Sequence, residues 1–257
     1  MFEKKLIMTP MLRKYIAKFC LRILVFILAF VFYVRHREWT TNFLQSSFWQ
    51  VDFARFHIGI TPIHILWAIF MVIMIFHIFP RLGGKRTMAI RKQIERDYIP
   101  VENYDENKLL KFVQASNIHA WQVLLAWLFF NAIFAAFYLV GILEEADLLM
   151  LTVFYFLSDY ICILLFCPFQ TFIMHNKCCV NCRIYDWGHF MMFTPMLFIK
   201  NFFSWSLFFT SVVVLIHWEL VYARYPERFW QGSNKRLQCA SCKDKTCQLK
   251  KKAAGKP

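Results

Sequence analysis

The sequence has few of the residues from which phosphate-binding and hydrolytic sites are built. Only seven of its 257 residues are glycine, and the one glycine-rich element is Gly83-Gly84, inside a basic loop. It contains no phosphate-binding glycine loop, no nucleophile elbow and no HExxH motif. We also find no internal repeat. ATP-driven transport and serine or zinc hydrolysis therefore have no support in the sequence.

Charged residues are also scarce. They make up 18% of the chain, against 59% hydrophobic residues, and the mean hydropathy is +0.43. Such values lie outside the range of ordinary soluble domains. Thirty Phe and nine Trp supply bulky side chains for contact with acyl chains and with the membrane interfaces. The composition predicts an all-α, polytopic helical membrane protein.

The few charges that are present are mostly positive, giving a formal net charge of +14. Lys and Arg lie beside hydrophobic runs and not in a nucleic-acid-binding motif, so we expect no nucleic-acid partner. A basic surface next to membrane spans is attracted to the anionic lipids of the inner leaflet. We interpret the charge as a determinant of membrane topology.

Hydrophobic segments predict about six membrane spans. The basic loop over residues 81–118 should be cytoplasmic by the positive-inside rule. Because each crossing inverts the side, both termini are then predicted to be cytoplasmic. The predicted spans lie near residues 15–34, 62–79, 120–143, 148–174, 187–199 and 202–222, within a membrane domain over residues 1–222.

Residues 185–222 are too long for one span and are interrupted by Pro195 and Lys200-Asn201. We expect two segments joined by an external turn at Lys200-Asn201, of which the first can be re-entrant. Five crossings are the alternative, but they would put the basic tail, residues 223–257, outside. Further predictions are an external loop or interfacial helix over 40–56, an amphipathic helix over 88–98 and a kink at Pro168.

Six of the nine cysteines lie in two polar segments, and each segment contains a CxxC motif. This spacing lets two thiolates converge on one cation, so two motifs supply four soft ligands. We therefore predict a metal-binding region in which the tail over 223–257 pairs with the loop over 175–186. The predicted ligands are Cys179, Cys182, Cys239 and Cys242, with Cys178 and Cys247 as additional ligands or a redox pair.

Four thiolates suit zinc or a single iron, and six cysteines also permit an iron–sulfur cluster. The arrangement is similar in general form to the paired knuckles of zinc ribbons and rubredoxins, although a membrane hairpin separates the two motifs here. Disulfides or free reactive thiols are the alternatives. We expect nearby basic residues to lower the thiol pKa values, and we interpret three further cysteines as small buried hydrophobic residues. The basic residues are Lys177, Arg183, Lys243 and Lys245, and the further cysteines are Cys20, Cys162 and Cys167.

Histidines and one acidic residue form the remaining candidate sites. Two opposed imidazoles can hold a haem or a metal, whereas interfacial histidines more often cap helices or bind headgroups. An intramembrane carboxylate is costly and indicates either a functional group or a structural ion pair. The histidines are His77, His119, His175, His189 and His217; the carboxylate is Asp159, with Asn131, Arg22 or Lys200 as its predicted partner.

Two functional hypotheses follow. The first is a metal or redox protein that transfers electrons in the membrane, as an oxidoreductase component, or docks a protein partner at the cytoplasmic face. The second is a small-solute or ion transporter centred on Asp159, in which the cysteines form a structural zinc clip.

Overall fold

The chain folds into a bundle of helices, four of which are long and apolar enough to cross a membrane. The computed structural model describes residues 7–35, 49–53, 56–60, 62–82, 87, 89–176 and 178–253. These features fit a helical membrane protein. The four long helices are α1 (Pro10–Arg35), α3 (Glu106–Leu139), α4 (Glu145–Leu164) and α6 (Phe202–Arg224).

Shorter elements complete the described fold. They are a hairpin of strands β1 (Trp49–Phe53) and β2 (Phe56–Ile60), and helices α2 (Pro62–Ile78), α5 (Gly188–Phe193) and α7 (Cys247–Ala253). A π-helical turn covers Phe169–Ile173. Short 3-10 helices cover Ile90–Gln93, Glu95–Asp97, Tyr185–Trp187, Thr194–Phe198, Pro226–Phe229, Lys235–Leu237 and Cys239–Ser241.

Side-chain caps fix where three of the long helices begin. Asp105 accepts a hydrogen bond from the Lys108 amide at the start of α3, and Asn201 accepts one from the Ser204 amide at the start of α6. A reciprocal capping box between Glu144 and Asp147 starts α4. With 34 residues, α3 is about 51 Å long, which exceeds a bilayer core of about 30 Å. Its polar first turns therefore extend beyond the apolar layer.

The strands form the one sheet among the described residues. They pair antiparallel, with Phe53 opposite Phe56 next to the turn. The sequence predicted a loop or an interfacial helix for residues 40–56, so this prediction is wrong for residues 49–53. Residues 40–48 lie outside the described residues.

A segment of short helices over residues 185–198, which we call the central segment, lies in the middle of the bundle. Helices α2, α3, α4 and α6 all contact it, and Trp187 and Phe193 are buried there. Helix α1 packs against α4, and α2 packs against α6. The predicted span over 187–199 is therefore broken into α5 and a 3-10 helix that begins beside Pro195.

The first and last described segments of the chain meet the loop after α2 at one end of the bundle, which we call the polar end. The Ile7 amide donates to Gln248 Oε1 at 3.1 Å, and Thr9 Oγ1 donates to the Asp244 carbonyl at 3.3 Å. The Lys235 amide donates to the Ile99 carbonyl at 2.8 Å. These contacts place the N-terminal segment, the loop after α2 and the C-terminal tail together.

Several predicted boundaries change. Helix α4 ends at Leu164 and not near residue 174, because Pro168 disfavours helical conformation in the residue before it. Helix α3 covers residues 106–139 where 120–143 was predicted. Within residues 88–98, two 3-10 turns replace the predicted amphipathic helix. The Gly83-Gly84 pair lies outside the described residues.

Candidate functional site

The central feature of the site is a cavity of about 600 Å³ between α3, α4 and the central segment. Aromatic side chains such as Trp127 and Phe130 form much of its wall. Polar side chains reach it at a few positions only. They are four thiols, Cys162, Cys167, Cys179 and Cys182, together with Tyr155, Ser158, Asp159, Gln170 and Tyr185.

Cys162 and Cys167 lie together in the cavity wall, and a hydrogen bond joins their side chains. They come together because α4 stops at Leu164 and the chain turns before Pro168. The backbone amide of Gln170 donates to the Cys167 sulfur at 3.4 Å. We interpreted both as small buried hydrophobic residues; they are partly buried and line the cavity. Cys20, for which the same was expected, is exposed on α1, so the prediction of burial is wrong there. The five-residue separation was the sequence signal that we did not use.

Cys179 and Cys182 lie on a tight turn against the same cavity, and each is 5% exposed. The Cys182 amide donates to the Cys179 carbonyl at 3.1 Å, which brings the two ends of the CxxC motif together. The Cys179 thiol donates to Gln170 Oε1 at 3.4 Å. Lys250, from α7, donates to the same Gln170 oxygen. The C-terminal tail thus supplies a cation beside a cavity thiol.

Lys92 supports this turn from the other side. Its ammonium group donates to the Val180 carbonyl at 2.6 Å and to the Cys182 carbonyl at 3.3 Å, and the side chain is 2% exposed. The rings of Trp218 and Phe229 lie 5.4 Å from its Nζ atom. Burial lowers the pKa of Lys92 to about 8. Sequence reasoning missed this residue because it counted Lys92 among the solvated charges of a basic loop.

The expectation that basic neighbours lower the thiol pKa values is wrong for the loop cysteines. Burial raises the pKa of Cys178 to about 11 and that of Cys182 to about 12, and it also raises the pKa of Cys179. Arg183, one of the expected neighbours, donates instead to Glu219. Desolvation therefore outweighs the nearby positive charge, and these groups are protonated thiols at neutral pH.

The other predicted metal ligands are more distant from the cavity. Cys239 is exposed, whereas Cys242 packs against Val180 and Leu237, as Cys178 also does. Among the described residues, no group of three or more His, Cys, Asp or Glu side chains has the geometry of a metal site. None of the nine cysteines, all of which are described, forms a disulfide. The metal site, including Cys247, stays a prediction.

The structure joins four of the five histidines in two pairs. His189 Nε2 lies 3.2 Å from His77 Nδ1, and the rings of His119 and His175 lie 5.6 Å apart, edge to face. His77 also lies 3.8 Å from an Asp186 oxygen. At 3.2 Å two ring nitrogens share a proton and leave no room for a metal ion between them. The His77–His189 contact supports a hydrogen-bonding role and not haem ligation. His217 lies on α6, within electrostatic range of Asp186.

Asp159 pairs with Arg22, one of its three predicted partners. The guanidinium donates to Asp159 Oδ2 at 2.8 Å and stacks 4.0 Å from the ring centres of Phe156 and Tyr160. Asp159 is five positions before the end of α4, nearer the polar end than the mid-membrane position that we predicted. This ion pair supports a structural role for the carboxylate.

Asn131, the second predicted partner of Asp159, bonds elsewhere. It accepts a hydrogen bond from the Tyr155 hydroxyl at 3.3 Å and donates one to the Trp127 carbonyl at 2.9 Å. Lys200, the third, precedes α6 at the opposite end of the bundle.

No known protein family, curated protein or solved structure matches the chain. The proposal of a function therefore rests on the geometry of the cavity and its thiols.

Proposed function

We propose that the chain is a membrane-embedded thiol centre that transfers electrons by thiol–disulfide exchange. The observation that carries this proposal is that two cysteine pairs, Cys162 with Cys167 and Cys179 with Cys182, line one cavity. Cys167 lies within electrostatic range of both loop thiols. Exchange requires sulfurs that can approach one another, and one cavity provides that approach.

The proposed step conserves atoms and electrons within the chain. A thiolate of the Cys179–Cys182 pair attacks a Cys162–Cys167 disulfide, and a mixed disulfide forms as the first S–S bond breaks. The second loop thiol then closes the Cys179–Cys182 disulfide. Two electrons and two protons have moved to the Cys162–Cys167 pair. Lys250, held beside Cys179 through Gln170, acts against the effect of burial and so favours the attacking thiolate.

For topology we propose six crossings, with both termini in the cytoplasm. Trp187 donates to Glu219 at 2.8 Å near one end of α6, and the central segment joins the other end at Asn201. The part of α6 between these points is about 25 Å long, so the segment runs antiparallel to α6 over most of a bilayer core. The basic residues of the polar end would then face anionic lipids and a protein partner in the cytoplasm.

A zinc or iron centre is the second candidate for the loop cysteines. Its support is that Cys178 and Cys242 both pack against the cluster of Val180 and Leu237, so each cysteine segment contributes one cysteine to the same cluster. Metal binding would have to displace the protons of buried thiols, so its affinity would rise with pH.

The test is a redox titration of the purified full-length chain in dithiol–disulfide buffers. Free thiols are counted by mass after alkylation, and metal content is measured on the same anaerobic sample. We expect the Cys162–Cys167 pair to lose both thiols in a two-electron oxidation. Cys162→Ser and Cys167→Ser should each abolish this loss. Cys20→Ser, on the exposed surface of α1, is the matched control and should titrate like the wild type.

Retention of all thiols across the titration, with about one bound metal ion per chain, would overturn the thiol-exchange proposal in favour of the metal centre.

A further inference from the structure

We infer that the cavity binds a lipid-soluble quinone, which exchanges two electrons with the Cys162–Cys167 pair. This inference rests on the proposed thiol function and names its membrane substrate. Three features indicate this class of ligand: the size of the cavity, its exposed outer wall and its few polar groups.

The size and the wall of the cavity suit a flat, apolar ring. Its volume of about 600 Å³ falls within the range of about 300–1,000 Å³ that is typical of small-molecule sites. Trp127, Tyr155 and Phe169 provide aromatic surfaces from the protein interior. Aromatic rings stack in offset or edge-to-face geometry, so these side chains favour an aromatic or quinonoid ligand.

The outer wall of the cavity also faces lipid. Phe130, Phe154 and Phe166 line it, and their exposed fractions are 47%, 47% and 49%. These residues belong to the outer surfaces of α3 and α4 and to the turn after α4. A ligand that passes between such side chains arrives from the bilayer. This route selects carriers that dissolve in the membrane over soluble dinucleotides.

Two polar groups near the thiols can orient a carbonyl. The Ser158 hydroxyl and the Gln170 carboxamide both line the cavity. The Gln170 oxygen already accepts hydrogen bonds from Lys250 and Cys179, so its amide group is the remaining donor of that side chain. A quinone has a carbonyl at each end of its ring and accepts such donors.

The chemistry of the thiol pair requires a two-electron acceptor. When Cys162 and Cys167 form a disulfide, two S–H bonds break and one S–S bond forms, which releases two electrons and two protons. A quinone takes up two electrons and two protons at its carbonyl oxygens and becomes a hydroquinone. The step is therefore balanced, and in reverse a hydroquinone reduces the disulfide.

The experiment mixes the reduced full-length protein with a soluble quinone that carries a short alkyl tail, and it follows quinone absorbance together with the thiol count. We expect one quinone reduced for each thiol pair lost. Ala126→Phe, which fills the cavity from α3, should slow this reaction about tenfold or more. Ala132→Phe, on the exposed surface of the same helix, is the matched control and should react like the wild type.

Ser158→Leu is the second cavity variant if Ala126→Phe does not fold, and it should slow quinone reduction to a similar degree. Both variants are also equilibrated with dithiol–disulfide buffers, where we expect the wild-type midpoint. Wild-type thiols that oxidise in those buffers but not with quinone, or variants that reduce quinone at the wild-type rate, would overturn the quinone inference alone. Failure to oxidise in the buffers would overturn the thiol proposal itself.

Discussion

Lys92→Met tests whether the buried ammonium group restrains the CxxC turn. The change removes hydrogen bonds to the buried carbonyls of Val180 and Cys182. Hydrogen bonds from a charged donor contribute about 1.5–3 kcal/mol each. The change also removes the cost of burying the charge. A pKa lowered from 10.5 to about 8 corresponds to about 3 kcal/mol at neutral pH.

Because the two hydrogen bonds together contribute about 3–6 kcal/mol and the burial cost of about 3 kcal/mol has the opposite sign, we expect the free energy of unfolding to fall by less than about 3 kcal/mol. The local effect is larger, since the turn loses its only described side-chain donor to those two carbonyls. Maleimide labelling of Cys182 in folded protein should accelerate about tenfold. Lys108→Met, at the exposed start of α3, should leave the labelling rate unchanged.

The pH dependence of stability gives a second readout of Lys92. Below about pH 8 the folded state bears the full cost of the charged group. As pH rises from about 8 toward 10.5, the folded state loses a proton that the unfolded state keeps. Stability should therefore increase by up to about 1.4 kcal/mol per pH unit, and this contribution should be absent from Lys92→Met. Equal slopes between pH 8 and 9, or unchanged labelling, would refute the role given to Lys92.

Three further predictions concern packing, the ion pair and the thiols. A Cβ atom at Gly188 would lie 2.9 Å from Asp159 Oδ1, so Gly188→Ala should destabilise the protein by about 1–3 kcal/mol in thermal unfolding, and wild-type stability would contradict that packing. Arg22→Met and Asp159→Asn should each cost about 1–3 kcal/mol, and a double-mutant cycle should show coupling; additive effects would argue against the pair. Alkylation of Cys178 should accelerate about tenfold per pH unit from pH 8 toward its pKa of about 11, whereas a plateau near pH 8 would contradict its burial.

The sequence predicted the parts of the fold that depend on hydrophobic length. Runs of apolar residues identify the four long helices, and the turn predicted at Lys200-Asn201 precedes the start of α6. The β-hairpin was missed although its signal is present, because apolar residues occupy every second position of Trp49–Phe53 and of Phe56–Ile60, and two residues separate these runs. The break of the central segment depends on packing inside the bundle as well as on Pro195.

The candidate site was predictable only in part. The CxxC motif identifies Cys179 and Cys182 as candidate site residues from the sequence alone. Cys162 and Cys167 look like ordinary apolar-span residues until the end of α4 before Pro168 turns both toward the cavity. Lys92 is distant in sequence from the turn that it supports, and only the tertiary fold shows the contact. Burial, which reverses the expected shift of thiol pKa, is likewise a property of the fold.

The most direct test of the central claim is to map which cysteines oxidise together. The reduced full-length protein is oxidised gently, the remaining thiols are alkylated, and the peptides are identified by mass. We predict disulfide bonds between Cys162 and Cys167 and between Cys179 and Cys182. Cys239 should remain a free thiol after oxidation and should therefore be alkylated. A first bond between Cys239 and Cys242, with the cavity cysteines still reduced, would contradict this prediction.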